Sequence, residues 1–181
     1  MRIQDIATYV EQKEDLHLAR LLILIGAFEE TDKPAIEGIT KLAKLDFLLR
    51  YPTYFERAVQ KRGGSLASTP IADYERGTVE AQMVRYRFGP WDHRLRRFLN
   101  LLAARGLVQI SIKGRSVLIS LTETGKRIAA QLGQRDEYRS LASRAQVLKR
   151  RLDIGATQLM IFIYETFPEI GSLDLDETIR P

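Results

Sequence analysis

Residues 89–121 read GPWDHRLRRFLNLLAARGLVQISIKGRSVLISL. In the first half, apolar side chains recur at helical spacing, which predicts a helix over residues 91–105. Asp92 is a suitable N-cap, and Gly106 lies where a helix of this length would end. One broad face of the helix is apolar: Leu95, Phe98, Leu99 and Leu102. The opposite face is mostly polar and cationic: His93, Arg96, Arg97, Asn100 and Ala104.

A β-hairpin is predicted directly after this helix, over residues 107–121. Two β-branched runs surround Gly114, which can adopt the positive φ that a tight turn requires. Thr122 then caps a second predicted helix start at residues 122–129. A helix, a hairpin and a further helix in this order form the back half of a winged-helix module. In such modules the helix before the hairpin is the usual reader of the DNA major groove.

Most of the remaining chain is also predicted to be helical. The predicted helices span residues 15–28, 39–50, 53–62, 126–151 and 156–167. The first and last of them are apolar nearly all the way round, which is typical of a helix inside a core or under a partner chain. Gly133 is a candidate break in the long basic helix.

The predicted fold class is mainly α with a small β-hairpin or sheet, as a winged-helix-like module with additional N- and C-terminal helices. Residues 83–88 alternate apolar and basic side chains, which predicts a strand that could lie beside the hairpin as a third strand. The chain is long enough to bury a core and is predicted to form a single domain over residues 1–181. The winged-helix core is expected at about 83–133, with helical parts at about 14–62 and 134–170 packed on it.

The composition argues against most kinds of catalytic or metal site. The chain has no cysteine and two histidines, His17 and His93, which are far apart in sequence. Thiolate nucleophiles, disulfides and the usual zinc sites are therefore excluded, and a histidine-based metal site is not expected. The residue spacing suggests no nucleophile, carboxylate pair or phosphate loop. We therefore predict that the protein is not an enzyme and uses no cofactor or metal.

The net charge of +5 is unevenly distributed along the chain. Residues 85–115 contain eight Lys/Arg and a single acid, Asp92, whereas residues 1–32 contain seven acids and three bases. The centre of the chain is therefore the part that could face an anion. Seven residues of the helix and hairpin are candidates for binding DNA or an acidic partner: His93, Arg94, Arg96, Arg97, Asn100, Lys113 and Arg115.

The seven candidates divide by their chemistry. Arg96, Arg97 and Asn100 are residue types that reach base edges, whereas the other four suit phosphates. Ordinary solvation of a surface helix would explain the same residues, and this alternative stays open. A standard helix-turn-helix is disfavoured because about forty residues separate the helices predicted at 39–50 and 91–105.

Asp46 lies at the edge of the apolar face of the helix at 39–50, with Arg50 four residues later. One interpretation is an ordinary ion pair between them, worth a few tenths of a kcal/mol. The other is a fixed polar contact between Asp46 and another element or subunit. The sequence leaves both open.

Three stretches, taken in order, resemble sequences of a known family. They read KLAKLDFLLRYP at 41–52, RFGPWDHRL at 87–95 continuing to GLV at 106–108, and IYETFPEI at 163–170. Together they cover most of residues 39–170. They resemble the middle component of bacterial ABC-three-component systems, which include the third subunit of Lamassu anti-phage defence.

This resemblance implies a small non-catalytic subunit, similar to the winged-helix accessory subunits of SMC complexes. Such a subunit bridges an SMC-like ATPase and an effector such as a nuclease, and double-stranded DNA is bound directly or through the complex. The resemblance also implies protein interfaces at the helix with Asp46 and Arg50 and at the turn with Tyr164 and Phe167. It transfers no catalytic residues. The alternative function is a stand-alone winged-helix DNA-binding transcriptional regulator.

The N-terminus has no signal-peptide pattern, and no apolar run approaches the roughly 18 residues that a membrane span requires. We therefore expect a cytoplasmic protein with no membrane partner. The acidic tail after residue 171 lacks the spacing of a calcium loop and is expected to be solvated.

Overall fold

The computed structural model describes residues 14–30, 33–65, 71, 83–84, 94–172 and 178–179. The helices are α1 (Glu14–Phe28), α2 (Ile39–Arg50), α3 (Pro52–Lys61), α4 (Leu95–Ala104), α5 (Glu123–Gln134), α6 (Asp136–Leu152), α7 (Ala156–Thr166) and α8 (Glu169–Ser172). The strands are β1 (Ile36–Glu37), β2 (Met83–Val84), β3 (Val108–Lys113), β4 (Ser116–Leu121) and β5 (Thr178–Ile179). The chain is therefore mainly helical with a small antiparallel sheet, which confirms the predicted fold class.

Helix α1 lies at the centre of the fold, as its apolar sequence predicts. Every side chain from His17 to Ile25 is buried. The helix contacts α2, α4, α5, α6 and β4, so it has neighbours on all sides. Each leucine or isoleucine buried in this way contributes about 1.5–3 kcal/mol to folding, and α1 therefore contributes strongly to the stability of the core.

The main sheet has three antiparallel strands in the order β1-β4-β3. In the hairpin, Val108 pairs with Leu121 and Lys113 with Ser116, around a turn in which Gly114 has φ +61°. This confirms the predicted hairpin and the role of Gly114, because a side chain at that φ would be strained.

The third strand of this sheet is β1, whose Ile36 pairs with Ile119 of β4. Strand β2 pairs instead with β5 in a separate two-stranded sheet. The prediction that residues 83–88 add a third strand beside the hairpin is therefore wrong at the two residues described. Alternation of apolar and polar side chains predicts an extended segment, but it does not specify the strand with which that segment pairs.

The order of the elements is that of a winged helix. Helix α1, strand β1 and helix α2 precede α4 and the β3–β4 hairpin, and β1 pairs with the second strand of the hairpin. Helix α3 is an addition between α2 and α4. Helices α1 and α2 and strand β1 therefore share one hydrophobic core with α4 and the hairpin.

Hydrogen bonds at Thr122 fix the start of α5 against the end of α4. The Thr122 hydroxyl accepts from the Gly125 N–H (3.0 Å) and donates to the Gly106 carbonyl (2.7 Å). Gly106 ends the turn after α4 with φ +68°. The predicted roles of Thr122 and Gly106 are therefore confirmed. Helix α4 begins at Leu95, and the predicted cap Asp92 lies outside the described residues.

Gly125 packs against the backbone at the base of the hairpin, since an added Cβ would lie 2.0 Å from the Leu107 carbonyl oxygen. We expect Gly125→Ala to destabilise the protein by about 1–3 kcal/mol, although alanine is the better helix former. Gly133 of the same helix is the matched control, because its added Cβ would lie 3.4 Å from Ala142 Cβ. Gly133→Ala should be neutral or stabilising. Equal thermal midpoints for the two variants, followed by circular dichroism, would contradict this account.

The C-terminal half packs helices against this core. Helices α5 and α6 follow one another with a break at Arg135, two residues after the candidate break at Gly133. Helix α6 packs on α1, and α7 packs on α2 and α3. Among the described helices, none combines the length and apolar character that crossing a bilayer requires.

Candidate nucleic-acid and protein interfaces

The face of α4 that points away from the core carries several candidate DNA contacts. Arg96 and Asn100 are exposed on it. Arg97 is also exposed, but it forms an ion pair with Glu14 at the start of α1. Arg97 is therefore a weaker candidate for an anion contact than Arg96, because its charge is already balanced within the chain.

Two further candidates precede α4. Arg94 is half-buried, and its guanidinium carbon lies 5.6 Å from the ring centroid of Phe98. This cation–π contact ties Arg94 to the apolar side of the helix. His93 lies outside the described residues.

A groove of about 560 Å³ lies where α4 meets the hairpin, and Arg96 and Arg115 both line it. The first turns of α2 and α7 form its other wall. Lys113, on the other side of Gly114, is exposed. The other polar side chains that line the groove are Glu37, Thr40, Lys41, Ser116, Thr157 and Gln158. We call this surface the Arg96–Arg115 groove.

The charged side chains that line the Arg96–Arg115 groove are Lys41, Arg96, Arg115 and Glu37. Helices α2 and α7 both begin there after a glycine, Gly38 and Gly155, with no side-chain cap. Their first N–H groups carry the partial positive charge of a helix N-terminus. These N–H groups and the guanidinium groups of Arg96 and Arg115 are hydrogen-bond donors suited to a phosphate group. The tertiary structure thus brings together two of the seven candidates.

An ion-pair network holds the start of α7 near α2. Asp153 precedes α7 and accepts hydrogen bonds from Lys41 of α2 (2.8 Å) and Lys149 of α6. Burial on its own would raise the pKa of Asp153, but the hydrogen bonds from Lys149 and Lys41 lower it below the ordinary 3.8. A hydrogen bond from Lys149 also lowers the pKa of Glu30.

The lowered pKa of Asp153 predicts a loss of stability in acid. A carboxylate with a depressed folded-state pKa stabilises the protein above its unfolded pKa, and this stability is lost as the pH falls through the folded pKa. We expect the free energy of unfolding to decline between about pH 5 and pH 3. Asp153→Asn should be less stable than wild type at pH 7, and its free energy of unfolding should decline less steeply as the pH falls. Urea denaturation across this range measures both slopes, and equal slopes would contradict the assignment.

No family model, curated protein or solved structure matches this chain. Among the described residues, no group of three His, Asp or Glu side chains is arranged to hold a metal ion.

Asp46 forms a buried bidentate ion pair with Arg20 of α1. The Arg20 Nε and Nη2 donate to the two carboxylate oxygens of Asp46, at 2.6 and 3.1 Å. This confirms the interpretation that Asp46 makes a fixed polar contact with another element. The simple i,i+4 pair with Arg50 is not the arrangement found, and the Arg50 guanidinium carbon lies 5.5 Å from the ring centroid of Tyr51.

Arg20 is a residue that the sequence analysis missed. Its Nη1 donates to His17 Nδ1 (3.0 Å), and the His17 ring stacks on Phe98 of α4 with 5.0 Å between centroids. The contacts from Asp46 through Arg20 and His17 to Phe98 therefore connect α2, α1 and α4. A signal was present in the sequence, because Arg20 interrupts the apolar run of α1 and a buried charge requires a partner.

Three of the four residues assigned to protein interfaces lie inside the protein. Asp46, Arg50 and Phe167 are 4%, 7% and 0% exposed. A partner could not contact their side chains in this structure, which corrects the interface predicted at these positions. Their own chain covers them, since Asp46 binds Arg20 and Phe167 packs between α2 and α3 aromatic rings.

Tyr164, the fourth interface residue, belongs to an exposed apolar face of α7. Helix α7 buries Leu159 and Ile163 where it packs on α2 and α3. The prediction that α7 docks into the core is therefore confirmed for one side of the helix. Its other side bears Met160, Ile161 and Tyr164, which are 41%, 49% and 39% exposed. We call these three residues the α7 apolar face.

Proposed function

We propose that this protein is a non-catalytic accessory subunit of an SMC-like ATPase complex in antiviral defence. In this role it bridges the ATPase and an effector such as a nuclease. The observation that carries the proposal is the α7 apolar face, on a helix that is additional to the winged-helix core. Large apolar side chains exposed side by side on one element are typical of a protein-binding surface.

The resemblance of three stretches to ABC-three-component middle components supplies the class of partner. One of these stretches, residues 163–170, begins on α7 and includes Tyr164. The α7 apolar face and that stretch therefore overlap. Phe167 and Ile170 in the same stretch are buried, so they support α7 from within while Tyr164 is available to a partner.

The experiment is co-purification of the tagged full-length chain with the products of the genes that flank it. We expect a large ATPase to elute with the wild-type chain in a fixed ratio. Ile161→Glu places a charge in the α7 apolar face and should remove the ATPase from the eluate. Because Ile161 is half exposed, the substitution should change the free energy of unfolding little.

Gln131→Glu is the matched control, since it adds the same charge at an exposed position on α5. It should leave the complex intact. A wild-type chain that elutes with no companion would contradict the accessory-subunit proposal. Equal recovery of the ATPase with both variants would show that the α7 apolar face is not the contact.

A stand-alone DNA-binding regulator is the second candidate function, and the Arg96–Arg115 groove favours it. Arg96 and Asn100 are exposed on the helix that precedes the hairpin, and Arg115 lies at the hairpin turn. This geometry suits a duplex with its phosphates near the groove and its base edges near Asn100. The same surface would also let an accessory subunit bring DNA to its ATPase.

Direct DNA binding is tested with the double variant Arg96→Glu and Arg115→Glu. Fluorescence anisotropy with a labelled duplex at low salt should show an affinity loss of at least about tenfold. The double variant Arg127→Glu and Arg150→Glu makes the same charge change at exposed positions on α5 and α6 and should bind nearly as wild type. Equal affinities for the two double variants would remove the groove as a DNA site.

A further inference from the structure

Strand β3 is the edge of the main sheet and presents an open backbone edge. The strand order is β1-β4-β3, so β3 pairs with β4 on one side and with no described strand on the other. All of its residues after Val108 are exposed. An unprotected edge strand is a ready template for pairing with another strand.

The register of the hairpin shows which backbone groups point to the open edge. The Thr122 N–H donates to the Leu107 carbonyl (3.0 Å) just below the hairpin, so Leu107 directs its polar groups at the β4 side. Along an antiparallel strand, the backbone N–H and C=O groups of successive residues point alternately to the two sides of the strand. The backbone groups of Gln109, Ser111 and Lys113 therefore also point at β4. The backbone N–H and C=O groups of Ile110 and Ile112 consequently face away from β4.

The side chains of Ile110 and Ile112 add an apolar surface to this edge. They share one face of the hairpin with Val117, because Ile112 pairs with Val117. Near the base of the hairpin this face packs against the core, since Ile119 is fully buried. Towards the tip it projects beyond the core, where Ile110 and Ile112 are 37% and 77% exposed. Two isoleucines thus lie exposed beside backbone groups that pair with no described strand.

We propose that β3 pairs antiparallel with the β3 of a second copy of this chain, about a twofold axis at Ser111. In this register Ile110 lies opposite Ile112 of the second copy, and their outward N–H and C=O groups form hydrogen-bonded pairs. Gln109 lies opposite Lys113, so no like charges face each other across the pair. The strand is therefore self-complementary in its hydrogen bonds and its apolar side chains, and its pairing opposes no like charges.

The expected dimer is weak. Six residues of each strand bury less than roughly 1,200 Å², the lower limit of a standard interface, so the dissociation constant should lie in the micromolar range or above. Sedimentation equilibrium of the purified full-length chain, from micromolar to near-millimolar concentration, should show the average mass rising towards twice that of one chain. This inference goes beyond the proposed function, and the chain is measured without the ATPase.

Ile112→Pro is the decisive variant, because it removes an outward N–H and leaves the hydrogen bonds to β4 intact. We expect it to raise the dissociation constant by at least about tenfold, with an unchanged far-ultraviolet circular dichroism spectrum. Ile112→Thr keeps the backbone donor and removes apolar area, and it should have an intermediate effect. Ile161→Thr makes the same substitution as Ile112→Thr at an exposed position on α7, and as the control it should dimerise as wild type.

Three results would overturn the proposal. A wild-type chain that remains monomeric near millimolar concentration excludes self-pairing. Equal self-association of wild type and Ile112→Pro shows that another surface joins the copies, and loss of the dimer in Ile161→Glu would identify that surface as the α7 apolar face. If the wild-type chain is monomeric and Ile112→Pro no longer co-purifies with a partner protein, then β3 pairs with a strand of that partner and not with a second copy.

Discussion

Replacing Asp46 with alanine is expected to lower the free energy of unfolding by about 3–5 kcal/mol. The substitution leaves the Arg20 guanidinium buried without its bidentate partner, and a buried uncompensated charge is strongly destabilising. The loss should extend to α4, because Arg20 also binds His17, which stacks on Phe98. Urea denaturation followed by far-ultraviolet circular dichroism measures the change.

The double variant Arg20→Met and Asp46→Leu is the control for this prediction. It removes both charges and keeps similar volume, so it should recover most of the stability that Asp46→Ala loses. A loss of less than about 1 kcal/mol for Asp46→Ala would mean that water reaches Arg20 and that the ion pair contributes little. Because Asp46 is a core residue, an assembly assay based on its substitution would report unfolding instead of a lost interface.

Replacing Phe167 with alanine is also expected to cost about 3–5 kcal/mol. Phe167 is fully buried, with its ring 5.1 Å from the Tyr54 centroid and 6.2 Å from the Phe47 centroid. The Arg57 guanidinium carbon lies 4.9 Å from the same ring, and its Nη2 donates to the Thr166 carbonyl (3.0 Å). The substitution would leave a cavity at the point where α7 is anchored to α2 and α3.

Tyr164→Ala is the matched variant on the same helix. Tyr164 is exposed on the α7 apolar face, so its loss should cost less than about 1 kcal/mol. Phe167→Ala should lower the thermal midpoint clearly, whereas Tyr164→Ala should leave it nearly unchanged and weaken only partner binding. Similar midpoints for the two variants would contradict the division of residues 163–170 into a buried anchor and an exposed contact.

The same cluster explains why the Tyr54 phenol is not a candidate acid or base near neutral pH. Burial raises the pKa of Tyr54 to about 12, and the charge of Glu169 adds to the shift. The phenol therefore stays protonated in the folded protein. Its ring acts as a packing surface between Phe47 and Phe167.

Features that depend on neighbours along the chain could be predicted from the sequence. Helix α2 begins and ends as predicted, the hairpin turns at Gly114, and Thr122 caps α5. In each case a short-range cause is sufficient: helical spacing of apolar side chains, a positive φ that favours glycine, or a hydroxyl within reach of an N–H three residues later. The apolar sequence of α1 predicted burial in the core or under a partner chain, and the structure shows burial in the core.

The contacts between elements could not be predicted from the sequence and were seen in the tertiary structure. It assigned the third strand of the sheet to β1, paired Asp46 with Arg20, brought Arg96 and Arg115 to one groove and left one side of α7 exposed. The periodicity of a segment shows which of its faces is apolar, but it does not show what lies against that face. Those pairings depend on contacts between residues far apart in the chain, whose geometry is set when the whole core packs around α1.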